Sequence, residues 1–223
     1  MAVLGDLLLD AGLNVTGVRD PEEIERIHFL DSLSLLTLKA VMHARRLADV
    51  GSGGGLPGLV LAVARPAMAV TTVESQRKKC GHIQRAADAL GLGNVTVCCS
   101  RVEDFARSTG RGAFDVVVSR AVAALPVVAE YSLPLLRVGG QMLAMKGSIS
   151  DQERTLAISA LGILGAGRLE AIRLEPFEGS FGRWVYVAQK ERETPDAFPR
   201  RAGVPARRPL GETEAKPTEG VWP

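Results

Sequence analysis

Aromatic residues are scarce in this chain: Phe, Trp and Tyr make up 4% of its 223 residues, against 46% hydrophobic residues in all. An interior with so few large rings must be filled by Val, Leu and Ala, the composition of parallel strands covered by helices. Cysteine is equally sparse. Cys80, Cys98 and Cys99 are odd in number, two are adjacent, and their spacing matches neither a zinc site nor a disulfide framework. Buried structural thiols and a reduced, cytoplasmic setting are therefore expected. No apolar run reaches about 18 uncharged residues, so no membrane span is expected, and the first residues lack the basic start and cleavage site of a secretion signal. Strong charge of one sign is missing too, and a net charge of +2 announces no polyanion partner for the molecule as a whole. His28, His43 and His82 are scattered, so no metal cluster and no Ser/His/Asp set is legible. The length suits one α/β domain with short extensions.

What the chain does have is a concentration of glycine. Asp49-Val50-Gly51-Ser52-Gly53-Gly54-Gly55-Leu56-Pro57-Gly58 follows an apolar strand and precedes the apolar run Leu59 to Ala64. Glycine lets a chain leave a strand, turn tightly and approach a ligand without a Cβ clash, and the helix behind it directs free N–H groups into the same space. Pro57 suits the first helical turn. This is a nucleotide-cofactor loop with two overlapping registers. Gly53-x-Gly55-x-x-Gly58 satisfies the dinucleotide fingerprint of nicotinamide-dependent oxidoreductases; Asp49-x-Gly51-x-Gly53-x-Gly55 satisfies the acid-and-glycine pattern of S-adenosylmethionine enzymes. Glu74 closes the strand 70–73, about 20 residues on, where a carboxylate accepts both hydroxyl protons of a cofactor ribose. Both enzyme classes use such an acid.

Alternation decides more. Residues 21 to about 43 have helical spacing behind the helix start Asp20-Pro21-Glu22-Glu23, and form a short N-terminal helical cap expected to lid the cofactor pocket. Strands then fall at 47–50, 70–73, 95–99, 114–118 and 141–145, separated by helices at 56–64, 76–90 and 125–136, the last stopped by Gly139-Gly140. After a helix around 152–164, residues 169–174 and 184–188 both alternate around Gly179-Ser180-Phe181-Gly182, which reads as an antiparallel hairpin. The expected fold is α/β, a doubly wound, mostly parallel, Rossmann-like seven-stranded sheet ending in that hairpin. A dinucleotide domain more often ends in another parallel strand; five parallel strands and a hairpin are the architecture of S-adenosylmethionine-dependent methyltransferases. The chain divides at 1–45 (cap), 46–191 (catalytic domain) and 192–223, a basic proline-rich tail read either as a phosphate-binding arm or as a solvated terminus.

Ligands of open α/β sheets sit beyond the carboxyl ends of the strands. Those ends carry Gly51, Glu74, the Arg101-Val102-Glu103-Asp104 segment, Ser119-Arg120-Ala121 and Lys146-Gly147. The Asn/Asp-Pro-Pro-aromatic loop that holds amine acceptors is absent, and no cysteine stands at the reaction end to attack a pyrimidine. An acceptor that needs no deprotonation fits, and guanine N7, with its in-plane lone pair, is one.

The ordered motifs Asn14-Val15-Thr16…Arg19-Asp20-Pro21, His28-Phe29-Leu30-Asp31-Ser32-Leu33, the glycine loop, Ser119-Arg120-Ala121, Leu143-Ala144-Met145-Lys146-Gly147 and Pro199-Arg200-Arg201-x-Gly203-x-Pro205-x-x-Arg208-Pro209-Leu210 closely resemble the bacterial RsmG/GidB methyltransferases. The resemblance runs from about Asn14 to Leu210, with Gly54 standing where alanine is frequent. It implies transfer of a methyl group from S-adenosyl-L-methionine to N7 of a guanosine in 16S rRNA, position 527 in the usual rRNA numbering, by a monomeric cytoplasmic enzyme acting on rRNA or the small ribosomal subunit. Gly51, Gly53, Leu56, Glu74, Val102, Glu103 and Arg120 would hold the cofactor. Arg120 would position the reactants with no dedicated catalytic base, and Lys146, Arg200 and Arg201 would meet the RNA. His28 and Asp31 lie in a signature motif and have either a substrate or a packing role. A nicotinamide-dependent oxidoreductase is the alternative that the glycine register leaves open.

Overall fold

The computed structural model describes residues 1–9, 18 and 20–211. The Asn14-Val15-Thr16 and Arg19 part of the resemblance lies outside them, as do residues 212–223 of the tail. Strand β1 (Arg46–Val50) lies inside a seven-stranded sheet. It is flanked by β2 (Ala69–Glu74), β3 (Val95–Cys99), β4 (Phe114–Arg120), β5 (Leu136–Lys146), β6 (Glu170–Arg173) and β7 (Trp184–Gln189), in the order β3-β2-β1-β4-β5-β7-β6. The first five are mutually parallel, with Leu47 opposite Val70 on one side and Val116 on the other. Strand β7 enters antiparallel beside β5, and β6 pairs antiparallel on its outer edge. The expected hairpin is there, folded so that its second strand joins the sheet first.

Successive side chains of a strand face opposite ways, and the sheet uses this to build two cores. Ala48, Val117 and Ala144 pack on one face with α7 (Val102–Ala106), α8 (Leu125–Ser132) and α9 (Asp151–Leu164). Leu47, Val116 and Leu143 face the other way, toward α5 (Gly58–Ala64). The Gly139-Gly140 pair does not stop a helix. It lies inside β5, past a shift in register between Phe114 and Val116, and α8 ends earlier, because Pro134 supplies no N–H and disfavours helix in the residue before it. On the far side of α5, helix α6 (Arg77–Ala89) completes the layer.

The cap is a broken rod. Helix α1 (Ala2–Leu9) precedes α2 (Pro21–Ile24), whose Asp20 carboxylate accepts from Glu22 N at 2.9 Å, as the sequence expects of that helix start. A π turn over Glu25–Leu30 leads into α3 (Asp31–Leu33), a 3-10 turn (Ser34–Thr37), extended backbone at Leu38 and α4 (Lys39–His43). Ser32, Ser34 and Thr37 hydroxyls donate to the carbonyls of His28, Asp31 and Ser34, and this competition with the helical ladder accounts for the irregular winding. Leu4, Leu8, Ile24 and Phe29 bury themselves against Leu59, Val60, Ile83 and Ala86 of α5 and α6.

The tail is bound to the body. The Arg111 guanidinium donates to Phe198 O and Thr194 O at 2.7 and 2.6 Å, and Arg107 Nε donates to Pro199 O at 2.8 Å. Arg200 forms a fork on Glu130 of α8, with Nη2 2.6 Å from Oε2 and Nε 3.0 Å from Oε1. The Glu130 side chain is fully buried, so it requires that cation. Arg200, expected at RNA phosphates, is thus committed to an internal ion pair, while Arg201 remains exposed. The chain then makes the single turn α10 (Val204–Arg207). No helix among the described residues is long and apolar enough to cross a membrane.

Breaking a buried pair strands a charge and costs about 3–5 kcal/mol, whereas an exposed arginine is worth under about 0.5 kcal/mol. Urea unfolding of Arg200→Ala should therefore show a loss of the larger size, and Arg201→Ala almost none. Equal small losses would mean that the tail is not held this way.

Candidate active site

The glycine loop is wired to the ends of β1 and β2. Gly51 N donates to Val73 O at 2.9 Å, Ser52 Oγ to Asp49 O at 2.8 Å, and Gly53 N to Glu74 Oε2 at 3.1 Å. Gly51, Gly53 and Gly55 all have positive φ, which an L side chain would strain. The Asp49 carboxylate has no exposed surface; Oδ2 accepts from Gly58 N at 2.9 Å, and Oδ1 has no partner among the described residues. A Cβ on Gly58 would stand 2.8 Å from Oδ2, so glycine alone fits there. Burial pushes the Asp49 carboxyl up to about 6, against the opposing pull of the Gly58 N–H and the Arg120 guanidinium.

Two clefts open along this loop, and Gly51 lines both. The first, about 250 Å³, lies over the carboxyl ends of β1, β2 and β3 and holds Glu74, Val102 and Glu103, walled by Val122, Tyr131 and Ala206. Glu74 and Glu103 are nearly fully buried. Glu74 Oε1 also accepts from Gln76 N, and Glu103 Oε1 accepts from Gly203 N of the tail at 2.8 Å. A carboxylate has about four acceptor positions, so both retain capacity toward a nucleoside. The second cleft, about 380 Å³, lies between the cap and the ends of β4, β5 and β7. It holds His28, Asp31, Gly53, Leu56, Arg120, Lys146, Arg183 and Trp184.

The sequence-derived cofactor set is therefore divided: Gly51, Glu74, Val102 and Glu103 border the first cleft, while Gly53, Leu56 and Arg120 border the second. The cap lids that second cleft, not the first. Lys146 is tied by Nζ to Ala123 O at 2.7 Å and Glu153 Oε1 at 3.0 Å. Arg200 and Arg201 line neither cleft. Burial and then Arg120 depress His28 to about 4, so it is neutral near pH 7. Tyr131, Arg183, Trp184 and Ala206 were not anticipated. Trp184 was legible in principle, since hairpin register sets it opposite Lys146 at the end of β5. The cysteines need a correction as well. Cys80 of α6 and Cys99 of β3 form a disulfide with Cα atoms 5.7 Å apart, and Cys99 is exposed. Sequence spacing missed this because the fold, not the separation of 19 residues, brings the end of β3 against α6. Among the described residues no group of His, Cys, Asp and Glu is arranged to hold a metal ion.

A seven-stranded sheet ending in β7 between β5 and β6, with a glycine loop after β1 and a buried acid at the end of β2, defines a Rossmann-like, S-adenosylmethionine-dependent methyltransferase. Residues 7–169 match the family described as GidB, rRNA small subunit methyltransferase G. A relative named ribosomal RNA small subunit methyltransferase G from Rubrobacter xylanophilus is 47% identical over 201 residues, covering 88% of this chain and 77% of that one. One of the same name from Moorella thermoacetica is 41% identical over 207 residues, with 92% and 86% covered. An S-adenosylmethionine-dependent O-methyltransferase from Thermotoga maritima shares the fold at a TM-score of 0.58 and 18% identity, over 86% of this chain and 72% of that one. The chain belongs to the rRNA small subunit methyltransferase G family. The oxidoreductase reading of the glycine register is overturned by this membership and by the antiparallel end of the sheet.

An acid whose folded pKa lies above its unfolded value binds a proton on folding. Asp49 therefore contributes most below about pH 4, and that contribution is lost as pH rises to about 6, a change on the order of 2–3 kcal/mol. Chemical unfolding across this window should show a declining stability component in the wild type that is absent in Asp49→Asn. An identical pH profile in both would exclude Asp49 as its source.

Proposed function

We propose that the enzyme methylates N7 of a guanosine in 16S rRNA, at the position numbered 527 in the family resemblance, with the cofactor in the first cleft and the acceptor base in the second. The observation that carries this reading is the pair of clefts meeting at Gly51, one carrying buried carboxylates suited to a nucleoside, the other roofed by the cap and lined with cations. Glu74 would accept the ribose hydroxyls, Val102 and Glu103 would hold the adenine edge, and Gly51, Gly53 and Leu56 would shape the passage between the clefts. Arg120 would reach the charged end of the cofactor and fix its direction. Bound there, S-adenosylmethionine supplies a sulfonium methyl, which guanine N7 takes with its in-plane lone pair while the S–CH3 electron pair stays with sulfur. N7 carries no proton, so the chain needs to orient the base and exclude water, not to remove a proton. Lys146 and Arg201 are assigned to the RNA side, with Arg200 acting through the fold. The division into cap, catalytic domain and tail at 45/46 and 191/192, action as a monomer in the cytoplasm, and a substrate of rRNA or the assembled small subunit complete the proposal.

Two measurements test it. Glu74→Ala removes charge-assisted bonds worth about 1.5–3 kcal/mol, so calorimetric affinity for S-adenosylmethionine should fall about 10- to 100-fold with the fold unchanged by circular dichroism. N7 methylation leaves a fixed positive charge that weakens the glycosidic bond, so borohydride and aniline should cleave small-subunit RNA at one new guanosine after reaction. Arg120→Ala should lower turnover, and raising the pH should not restore it. Methyl label on adenine or cytosine without guanosine cleavage would overturn the assignment.

A further inference from the structure

Asp31 sits in the second cleft at 4% exposure, and no described residue hydrogen-bonds or ion-pairs with its carboxylate. With no donor from the described residues, the Asp31 oxygens open onto the cleft and keep their capacity to accept hydrogen bonds there. Burial raises the carboxyl, and the nearby Arg183 and Arg120 guanidiniums oppose that rise. The same cleft presents apolar walls from Ile27, Leu174 and Trp184. This is the composition of a pocket for a flat heterocycle with one polar edge to satisfy.

Building on the guanosine reading above, we propose that Asp31 is the residue that selects guanine, its two oxygens accepting N1–H and the N2 amino group of the acceptor base extruded into this cleft. Guanine offers two adjacent donors on its Watson–Crick edge, which match a carboxylate bidentately. Adenine turns an acceptor lone pair to the same place and is repelled. Enzymes that act on an extruded base read that edge by hydrogen bonds and stack the ring on apolar side chains. Holding guanine by this edge leaves N7, on the opposite side of the ring, free to face the cofactor. The methylated base is cationic, so the carboxylate also interacts more strongly with the developing product than with the reactant.

A chemical double-mutant cycle tests the assignment. Small-subunit RNA is ligated with guanosine or inosine at the methylated position; inosine keeps N7 and N1–H but lacks the N2 amino group. Wild-type enzyme should methylate the inosine RNA about 10- to 100-fold less efficiently, the worth of one charge-assisted bond. Asp31→Ala should be slow on both RNAs and show no inosine penalty, while its calorimetric affinity for S-adenosylmethionine is unchanged. Asp31→Asn, which keeps the shape, provides the same comparison if the alanine variant fails to fold, and its penalty should shrink to a few-fold. An undiminished penalty in the variants, or no penalty in the wild type, overturns the role of Asp31. Weakened cofactor affinity with equal losses on both RNAs would instead place Asp31 on the cofactor, and overturns it as well. Wild-type transfer to a base other than this guanosine would bring down the functional proposal first, and is read separately by the cleavage assay.

Discussion

Asp49 carries a carboxylate into the middle of the sheet, between β2 and β4, where it has no exposed surface and only one of its oxygens has a hydrogen-bond partner among the described residues. Leaving a charged group there is unfavourable unless the surroundings compensate it. The Gly58 N–H approaches only because glycine has no Cβ, and that places the start of α5 directly over the end of β1. Gly51 then turns onto Val73, and Gly53 onto Glu74. One buried acid thus fixes where the helix begins, how the loop turns and where both clefts meet.

The two ends of the chain complete those clefts from opposite sides. The cap, seated on α5 and α6, brings His28 and Asp31 to the second. The tail, held by Arg107, Arg111 and the Arg200–Glu130 pair, brings Ala206 to the first and the Gly203 N–H to Glu103. Sequence position separates these segments by more than the length of the sheet, yet each finishes one of the two clefts that share Gly51. This arrangement explains why a stretch rich in basic residues is ordered. Its best-placed arginine neutralises a carboxylate inside the protein and so cannot serve a phosphate outside it.

Local patterning made most of the sheet legible. Short apolar runs between helices located the five parallel strands, period-two alternation the two hairpin strands, and Asp20-Pro21 the cap, because these signals depend on neighbours along the chain. The glycine loop and Glu74 were legible for the same reason: strand, turn and helix follow one another directly. What escaped depends on contacts between distant residues. Glu130 with Arg200 and Cys80 with Cys99 are pairings that no periodicity encodes. The division of Gly53, Leu56 and Arg120 from Glu74 and Glu103 follows from which side of the loop each strand end faces. The end of α8 was misplaced for a simpler reason: the proline at 134 outranks the glycines at 139 and 140 as a helix stop.

Charge in the second cleft has to be balanced before any chemistry occurs there. Arg120 and Arg183 are both positive, and Arg120 is so deeply enclosed that burial lowers its own affinity for a proton. A third unpaired cation facing them would make the cleft more strongly positive. His28 is kept neutral by burial and by Arg120 itself, and Lys146 is turned toward Glu153. The acids Asp31 and Asp49 raise the Arg120 pKa against that burial, and Asp31 is the one of the two that lines the cleft. With His28 neutral and Lys146 paired, Asp31 is the carboxylate that offsets the two guanidiniums inside the cleft, a balance fixed in the folded chain before any substrate arrives.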